Sequence, residues 1–415
     1  MRIPLVAAIL LVLAAVASDL YILKDIRQYC AARYRRLYSW LYLCSAALCW
    51  ILVGVTLAMP KKSEEQSILP LMWMLFAILS IYIPKYIYCI SSLVGRLIFR
   101  KGKRNYGSMA GIPAGILVFI VIWWGVLFTR HDIVTNNVEI RSEKLPAAFD
   151  GFKVLQFSDA HVGTWGNDTT FVSKLVDSIN SSGADLIVFT GDIVNRRSSE
   201  IDPFVPLFRR LHAPNGVIAV HGNHDYGSYV KWKNPGDDNR DVFRLDSIMR
   251  SMGWSVLNNQ TLFITAGQDS IVVIGVENWG EPPFNQLGNL GKSYPDRKGS
   301  LRGLNDGMFK ILLTHNPEHW SQVVTKISNI DLSLAGHTHA MQMMIKAGDW
   351  KWSPSKYRYE QWGGLYTDKA KDESPMNLYV NIGCGEVGFP ARIGAAKPEL
   401  TLFTLRGGKV EHRQQ

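Results

Sequence analysis

The sequence predicts an α/β domain preceded by an α-helical membrane region of about four spans. Three observations predict it. Apolar residues make up 47% of the 415 at a mean hydropathy of +0.02, high for a soluble chain and low for an all-membrane one, so they must be concentrated; they lie in the first third. After Arg130 the texture changes to short apolar runs separated by glycine and asparagine turns, with helical patterns between several of them. Finally, nearly every unusual polar cluster begins within a residue or two of the end of one of those runs.

Apolar stretches able to cross a bilayer core of about 30 Å lie near residues 3 to 23, 37 to 59, 68 to 92 and 111 to 129. The third contains Pro84 and Lys85, which predict a kink or early end and a lysine reaching for the interface. Lys24, Arg27, Arg33, Arg35 and Arg36 crowd the first loop, and Arg96, Arg100, Lys101, Lys103 and Arg104 the third, while Lys61 and Lys62 of the second are offset by Glu64 and Glu65. Basic loops stay cytoplasmic, which places the N-terminus and everything after residue 130 outside the cytoplasm. A cleaved signal peptide over residues 1 to 17, with Ala15-Val16-Ala17 as its small-residue site, is the competing reading. It leaves three spans and inverts the orientation against the charge rule.

Residues 1–129 hold 14 Lys and Arg against 4 Asp and Glu, the whole of the +10 surplus. The remainder is near neutral, which argues against a nucleic-acid partner. The spans read as short of buried ionisable residues, which favours an anchor over a transport unit. Cys30, Cys44, Cys49 and Cys89 fall in the first third, leaving Cys384 alone in the α/β part; no disulfide framework or thiolate zinc site follows.

Val154 to Phe157, Leu186 to Thr190, Val217 to Val220, Ile271 to Val276, Lys310 to Leu313 and Leu332 to Ala335 read as buried strands, and Phe171 to Ile179 and Asp241 to Met252 as amphipathic helices. Asp159 and His161 follow the first strand, Asp192 the second, His221 to Asp225 the third, His315 the fifth and His337 to His339 the sixth. In open α/β sheets, loops beyond the carboxyl ends of strands converge on one site.

The residue types suit a pair of divalent cations. Asp159-x-His161 offers a hard carboxylate oxygen and an imidazole nitrogen from one turn, though alone it reads equally as a turn residue beside a surface histidine. Asp192, alone a turn cap, can bridge two ions about 3.5–4 Å apart. Asn223 brings a neutral oxygen. His224 suits a proton donor to a leaving oxygen, with Asp225 as its orienting partner. His315 adds a nitrogen, and His337 and His339, alternating on an extended segment, serve different ions. Five of the ten histidines on strand ends in this order is not the pattern of isolated core histidines.

Asp159-Ala-His161, Gly191-Asp192, Gly222-Asn223-His224-Asp225, His315 and Gly336-His337-Thr-His339 resemble the five blocks of the calcineurin-like metallophosphoesterase superfamily. The resemblance covers about residues 138 to 405 and is closest to its membrane-associated bacterial branch, with Asp150-Gly-x-Lys153 ahead of the first strand and Gly383, Gly385, Pro390, Arg392, Pro398 and Glu399 near the end. It implies a four-layer αββα sandwich. One metal would take Asp159, His161, Asp192 and His339, and the other Asp192, Asn223, His315 and His337; without thiolate, manganese, iron or zinc suit the set.

The expected organisation is a membrane region over 1–130, a linker and first strand over 131–150 and a catalytic domain over 151–415. The expected function is hydrolysis of a phosphoester, as diester or pyrophosphate and in a small molecule or lipid, by hydroxide between two metals. The expected location is a bacterial plasma membrane, domain outward. A silent metal-binding scaffold and a regulatory domain on a transport unit are the alternatives. Arg392 is expected on a substrate phosphate, or else in an ion pair with Glu386 or Glu399. The stretch Asp349 to Gly363, with Trp350, Trp352, Tyr357, Tyr359 and Trp362 among Lys351, Lys356 and Arg358, is expected at a membrane interface, over the site, or packed on the sandwich.

Overall fold

The computed structural model describes residues 5–59, 67–99, 105–282, 284, 286–294 and 306–408. Lys61, Lys62, Glu64 and Glu65, and Arg100, Lys101, Lys103 and Arg104, lie outside the described residues. The chain divides into a helical unit, within residues 1–61 and 70–127 plus Phe389–Ala391, and an α/β unit that takes the rest.

The described residues of the helical unit form four helices: α1 (Leu5–Tyr29), α2 (Ala32–Ala58), α3 (Leu69–Ile98) and α4 (Tyr106–Leu127). Among the described residues, three stretches are long and apolar enough to cross a membrane: Ala32–Ala58, Leu69–Ile98 and Tyr106–His131. α1 is 25 residues long and carries Asp19, Lys24 and Asp25.

Two expectations change here. α3 runs unbroken through Pro84 to Ile98. Lys85 does not reach for the interface: its Nζ lies 2.7 Å from Asp19 Oδ1, and Asp19 also accepts from Tyr42 (2.7 Å), Trp50 (2.9 Å) and Tyr82 (3.1 Å). Asp25 is likewise buried, paired with Arg96 and bonded to Tyr88 and Ser92. The spans therefore are not short of buried ionisable residues. In sequence these carboxylates sit 23 to 71 residues from their partners, which is why a window of hydropathy misses the pairing. α3 and α4 approach backbone to backbone where a Cβ on Gly107 would stand 2.6 Å from Gly95 Cα, a small-residue crossing suited to lipid.

The α/β unit holds two six-stranded sheets. In the first, β1 (Val134–Ser142), β2 (Lys153–Phe157), β3 (Leu186–Phe189), β4 (Val217–Ala219), β5 (Trp254–Val256) and β15 (Glu399–Gly407) lie in the order β1-β15-β2-β3-β4-β5. In the second, β6 (Gln260–Ala266), β7 (Asp269–Gly275), β8 (Lys310–Leu313), β9 (Leu332–Ala335), β12 (Gly364–Lys369) and β13 (Pro375–Val380) run β12-β13-β9-β8-β7-β6. A small third sheet joins β10 (Met343–Ala347), β11 (Trp350–Trp352) and β14 (Ile393–Gly394).

Parallel strands covered on both faces need apolar residues at every position, and Leu186, Ile187, Val188 and Phe189 are all fully buried. Leu186 and Val188 face inward against Val273, Ile311 and Leu334 of the second sheet. Ile187 and Phe189 face outward onto helices α5 (Thr170–Asn180) and α7 (Asp237–Ser251), with α6 (Val205–Phe208) beside them. On the far side Ile274, Leu312 and Leu378 pack under Trp320 and Val324. Four layers result, αββα, and the carboxyl ends of β2, β3, β4, β8 and β9 open along one edge.

Candidate metal centre

The five loops at that edge bring the predicted residues together. Ligand atoms of Asp159, His161 and His339 lie within 4.8 Å of one another, and so do those of Asp192, His315 and His337. Asn223 joins the second group, its Oδ1 3.2 Å from His315 Nε2. Asp192 faces both: Oδ2 stands 3.6 Å from His161 Nε2 and 3.1 Å from His315 Nε2. Its Oδ1 accepts the His224 amide at 2.7 Å.

Backbone strain builds this convergence. Asp159 (φ 52), His161 (φ 41), Asp192 (φ 62), His337 (φ 75) and His339 (φ 52) all sit in the left-handed region, rare for residues with a Cβ and concentrated at functional sites. His337 and His339 thus reach separate groups through a left-handed turn, not through the extended segment expected. Gly222 is required by proximity, since a Cβ there would fall 2.2 Å from Asp192 Oδ1.

The rings fit cations. His161 Nδ1 lies 3.0 Å from the Val194 carbonyl and His315 Nδ1 2.8 Å from that of Thr190. Each Nδ1 must therefore carry the proton, leaving a lone pair at Nε2. Those lone pairs face a carboxylate oxygen, with Asp192 Oδ2 3.1 Å from His315 Nε2 and 3.6 Å from His161 Nε2, and the rings of His339 and His337 stand 3.1 and 3.2 Å from His161 Nε2 and His315 Nε2 in turn. Buried acceptors facing acceptors call for positive charge between them. Burial pushes His161 and His337 well down, toward the neutral ligand form. At His315 burial acts the same way, but the Asp192 and Asp159 charges reverse it and raise the ring to about 9. A divalent ion satisfies the same demand as that proton.

His224 stands beside the first group, its ring 4.8 Å from His161 and stacked at 4.1 Å on Tyr229. Its Nδ1 donates to the Asn195 carbonyl at 2.6 Å. Asp225, expected to orient it, is elsewhere: it accepts from the amides of Asp192 (2.8 Å), Ile193 (2.9 Å), Val194 (3.3 Å) and Gly222 (2.9 Å). Burial opposes its ionisation, but His221 and these amides hold its carboxyl below the ordinary range. Asp225 shapes the loop that presents Asp192, and Asn195 takes the orienting role.

Arg392 departs further. Its side chain is fully buried and donates to the carbonyls of Gly385 (2.5 and 3.1 Å), Ile382 (3.2 Å), Ala396 (3.2 Å) and Lys397 (3.4 Å). It cross-links a loop, with no fork left for a phosphate. Two contributors were missed by sequence reading: Asn195 and Tyr229, whose hydroxyl accepts from Asn223 Nδ2 at 2.8 Å; Tyr359, 3.0 Å from His337 Nε2, meets one of the placements expected for its stretch, over the site. Only Asn195 left a trace, a polar residue three after Asp192. Tyr359 belongs to the aromatic stretch, which divides: Trp362 is buried, whereas Trp350 and Tyr357 are exposed.

The sequence profile described as calcineurin-like phosphoesterase matches residues 152–341. A second, described as "Probable Calcineurin-like phosphoesterase, transmembrane domain", matches 1–130. The metallophosphoesterase YkuE of Bacillus subtilis is 34% identical over 280 residues, 66% of this chain and 86% of its own. The transmembrane protein with metallophosphoesterase domain of Danio rerio is 26% identical over 332 residues, 77% of this chain and 68% of its own. The UDP-2,3-diacylglucosamine pyrophosphatase LpxG of Chlamydia trachomatis is 27% identical over 279 residues, 58% of this chain and 80% of its own. Calcineurin-like phosphoesterases are hydrolases that use divalent metals. With its apolar helices and its paired clusters of metal-ligating side chains, this chain is an integral membrane protein and belongs to the calcineurin-like phosphoesterase family.

Proposed function

We propose that the chain hydrolyses a phosphodiester or pyrophosphate, in a lipid or a small molecule, with two divalent ions held by Asp159, His161, Asp192 and His339 on one side and Asp192, Asn223, His315 and His337 on the other. The observation that carries this reading is Asp192 Oδ2, one carboxylate oxygen facing both groups. Bound there, two ions supply a nucleophilic water deprotonated near neutral pH and neutralise the phosphoryl oxygens. Nitrogen and oxygen donors without thiolate suit manganese, iron or zinc. With the His224 Nδ1 proton held by the Asn195 carbonyl, Nε2 is the ring nitrogen left to pass a proton to a leaving oxygen. Asp225 acts on the loop. A silent scaffold is disfavoured by a ligand set with no member missing.

The division proposed is a membrane region over 1–130, a linker and first strand over 131–150 and a catalytic domain over 151–415, facing outward from a bacterial plasma membrane. The name of the chlamydial relative, a pyrophosphatase acting on a diacylated sugar nucleotide, supports a lipid substrate. The test uses the purified full chain and a bis-aryl phosphodiester. Asp192→Asn is expected to abolish turnover, and His224→Ala to keep near-normal metal content while losing about 10²–10⁴-fold in rate. Turnover in Asp192→Asn, or metal loss in His224→Ala, overturns those roles. Exposing a total lipid extract to wild type and Asp192→Asn, with products read by mass spectrometry, tests the lipid; identical products remove it.

A further inference from the structure

We propose that one face of the β10–β11 hairpin inserts into the headgroup zone of an anionic lipid bilayer. β10 and β11 pair antiparallel, with Ile345 opposite Trp352 and Ala347 opposite Trp350. Directly opposed residues share a face, so these four make one apolar surface, and Lys346 opposite Lys351 lies on the other. Three of the four are exposed, Ile345 by 49% and Trp350 by 58%, while Trp352 is half-buried. Tyr357, 77% exposed, extends it, its ring 6.4 Å from that of Trp352 and at 71° to it. Lys356 lies 5.5 Å from the Tyr357 ring centroid. Exposed tryptophan, tyrosine and isoleucine fringed by lysine suit the interface of a bilayer bearing anionic headgroups.

The bilayer is the occupant because of where the hairpin sits in the α/β unit. The last apolar span ends at His131. The residues that follow are fixed at once: Asp132 pairs with Lys397 at 2.6 Å, and the Val134 amide donates to Pro398 at 2.9 Å. Three residues before Lys397 is β14, whose Ile393 and Gly394 pair with Met343 and Met344 of β10. The hairpin therefore belongs to the edge of the unit at which the chain leaves its last span. A surface tethered so closely to membrane meets lipid at high effective concentration.

The segment that follows the hairpin reaches the metal centre. Ser353 donates to the Ala340 carbonyl at 2.6 Å, next to His339, and Tyr359 touches His337. A lipid phosphate at the headgroup level would thus meet the loops that carry both histidines.

The test reconstitutes the full chain, with Cys30 and Cys44 replaced by serine, into nanodiscs of phosphatidylcholine with phosphatidylglycerol. A nitroxide is placed at Ala347→Cys and, as a control, at Phe243→Cys, an exposed position of α7. Collisions with oxygen, which partitions into lipid, are compared with those of a water-soluble nickel chelate. Several-fold greater preference for oxygen at 347 than at 243 is expected, and Ile345→Glu with Trp350→Glu should remove it. Equal nickel access at both positions overturns the proposal. So does dipolar broadening from a second label, which would make another copy the occupant. The readout needs no hydrolysis, so it stands or fails separately from the function proposed above.

Discussion

Tyr229 touches two parts of the centre at once. Its hydroxyl fixes the Asn223 amide so that Oδ1 turns toward His315, and its ring stacks on His224. Burial, reinforced by the Asp192 charge, keeps the phenol protonated. Tyr229→Phe keeps the stack and loses the hydroxyl, so metal content should fall while kcat of the fully loaded protein stays within a few-fold. Tyr229→Leu loses both and should lower kcat by about tenfold more; metal analysis beside saturating-metal kinetics separates the two, and equal behaviour of the variants would refute the dual role. His319 offers a test of pH. Burial pushes its ring down to about 3, and it stacks on Trp279 with centroids 5.1 Å apart. Because the unfolded ring takes a proton near 6.5 and the folded one near 3, this group's contribution is intact above pH 6.5 and is lost as pH falls toward 3. His319→Phe should flatten the fall of Tm between pH 6.5 and 4; an unchanged slope would refute it. The residues that gather in the two clusters were legible because each follows a strand and carries an uncommon side chain. Tyr229 and Asn195 were not, since one acts through a hydroxyl six residues from its partner and the other through a backbone carbonyl.

The strands of the sandwich announce themselves as apolar runs because both faces are covered; β8 and β9 fall where the runs predicted. β12 and the hairpin did not, for one face of each meets water and their apolar pattern is diluted; β1 was expected only as a strand somewhere within 131–150. Helix α3 taught the opposite lesson: Pro84 and Lys85 suggested a break, and the structure uses the lysine inside the unit. Side-chain exposures of 13% for Lys85 and 11% for Asp19 make the pair a buried one, and removing one member of such a pair costs about 3–5 kcal/mol. Lys85→Met should therefore lower the thermal midpoint of the helical unit in detergent, read by the reactivity of the buried thiols Cys49 and Cys89. Asp19→Asn combined with Lys85→Met should recover most of the loss, since no uncompensated charge then remains. If the double variant is as unstable as the single, the pair acts through more than its charge.

If α1 crosses with the three apolar spans, the chain returns to the side on which it began, so the side of the α/β unit depends on which loops hold the basic residues. Lys24 and Arg27 close α1, and Arg33, Arg35 and Arg36 open α2. In the third loop Arg96 is engaged by Asp25 within the helical unit, and Arg100, Lys101, Lys103 and Arg104, outside the described residues, are counted for that loop from the sequence alone. Two clusters of the same sign on alternate loops reinforce one orientation, and neutralising either should leave the other in control. Protease added to sealed right-side-out vesicles is expected to digest the α/β unit of the wild type and of Arg33→Gln/Arg35→Gln/Arg36→Gln alike. Neutralising both clusters together should give a mixed population, part of it protected. Digestion of the wild type only after the vesicles are opened would put the metal centre in the cytoplasm, which would remove every substrate confined to the outer leaflet.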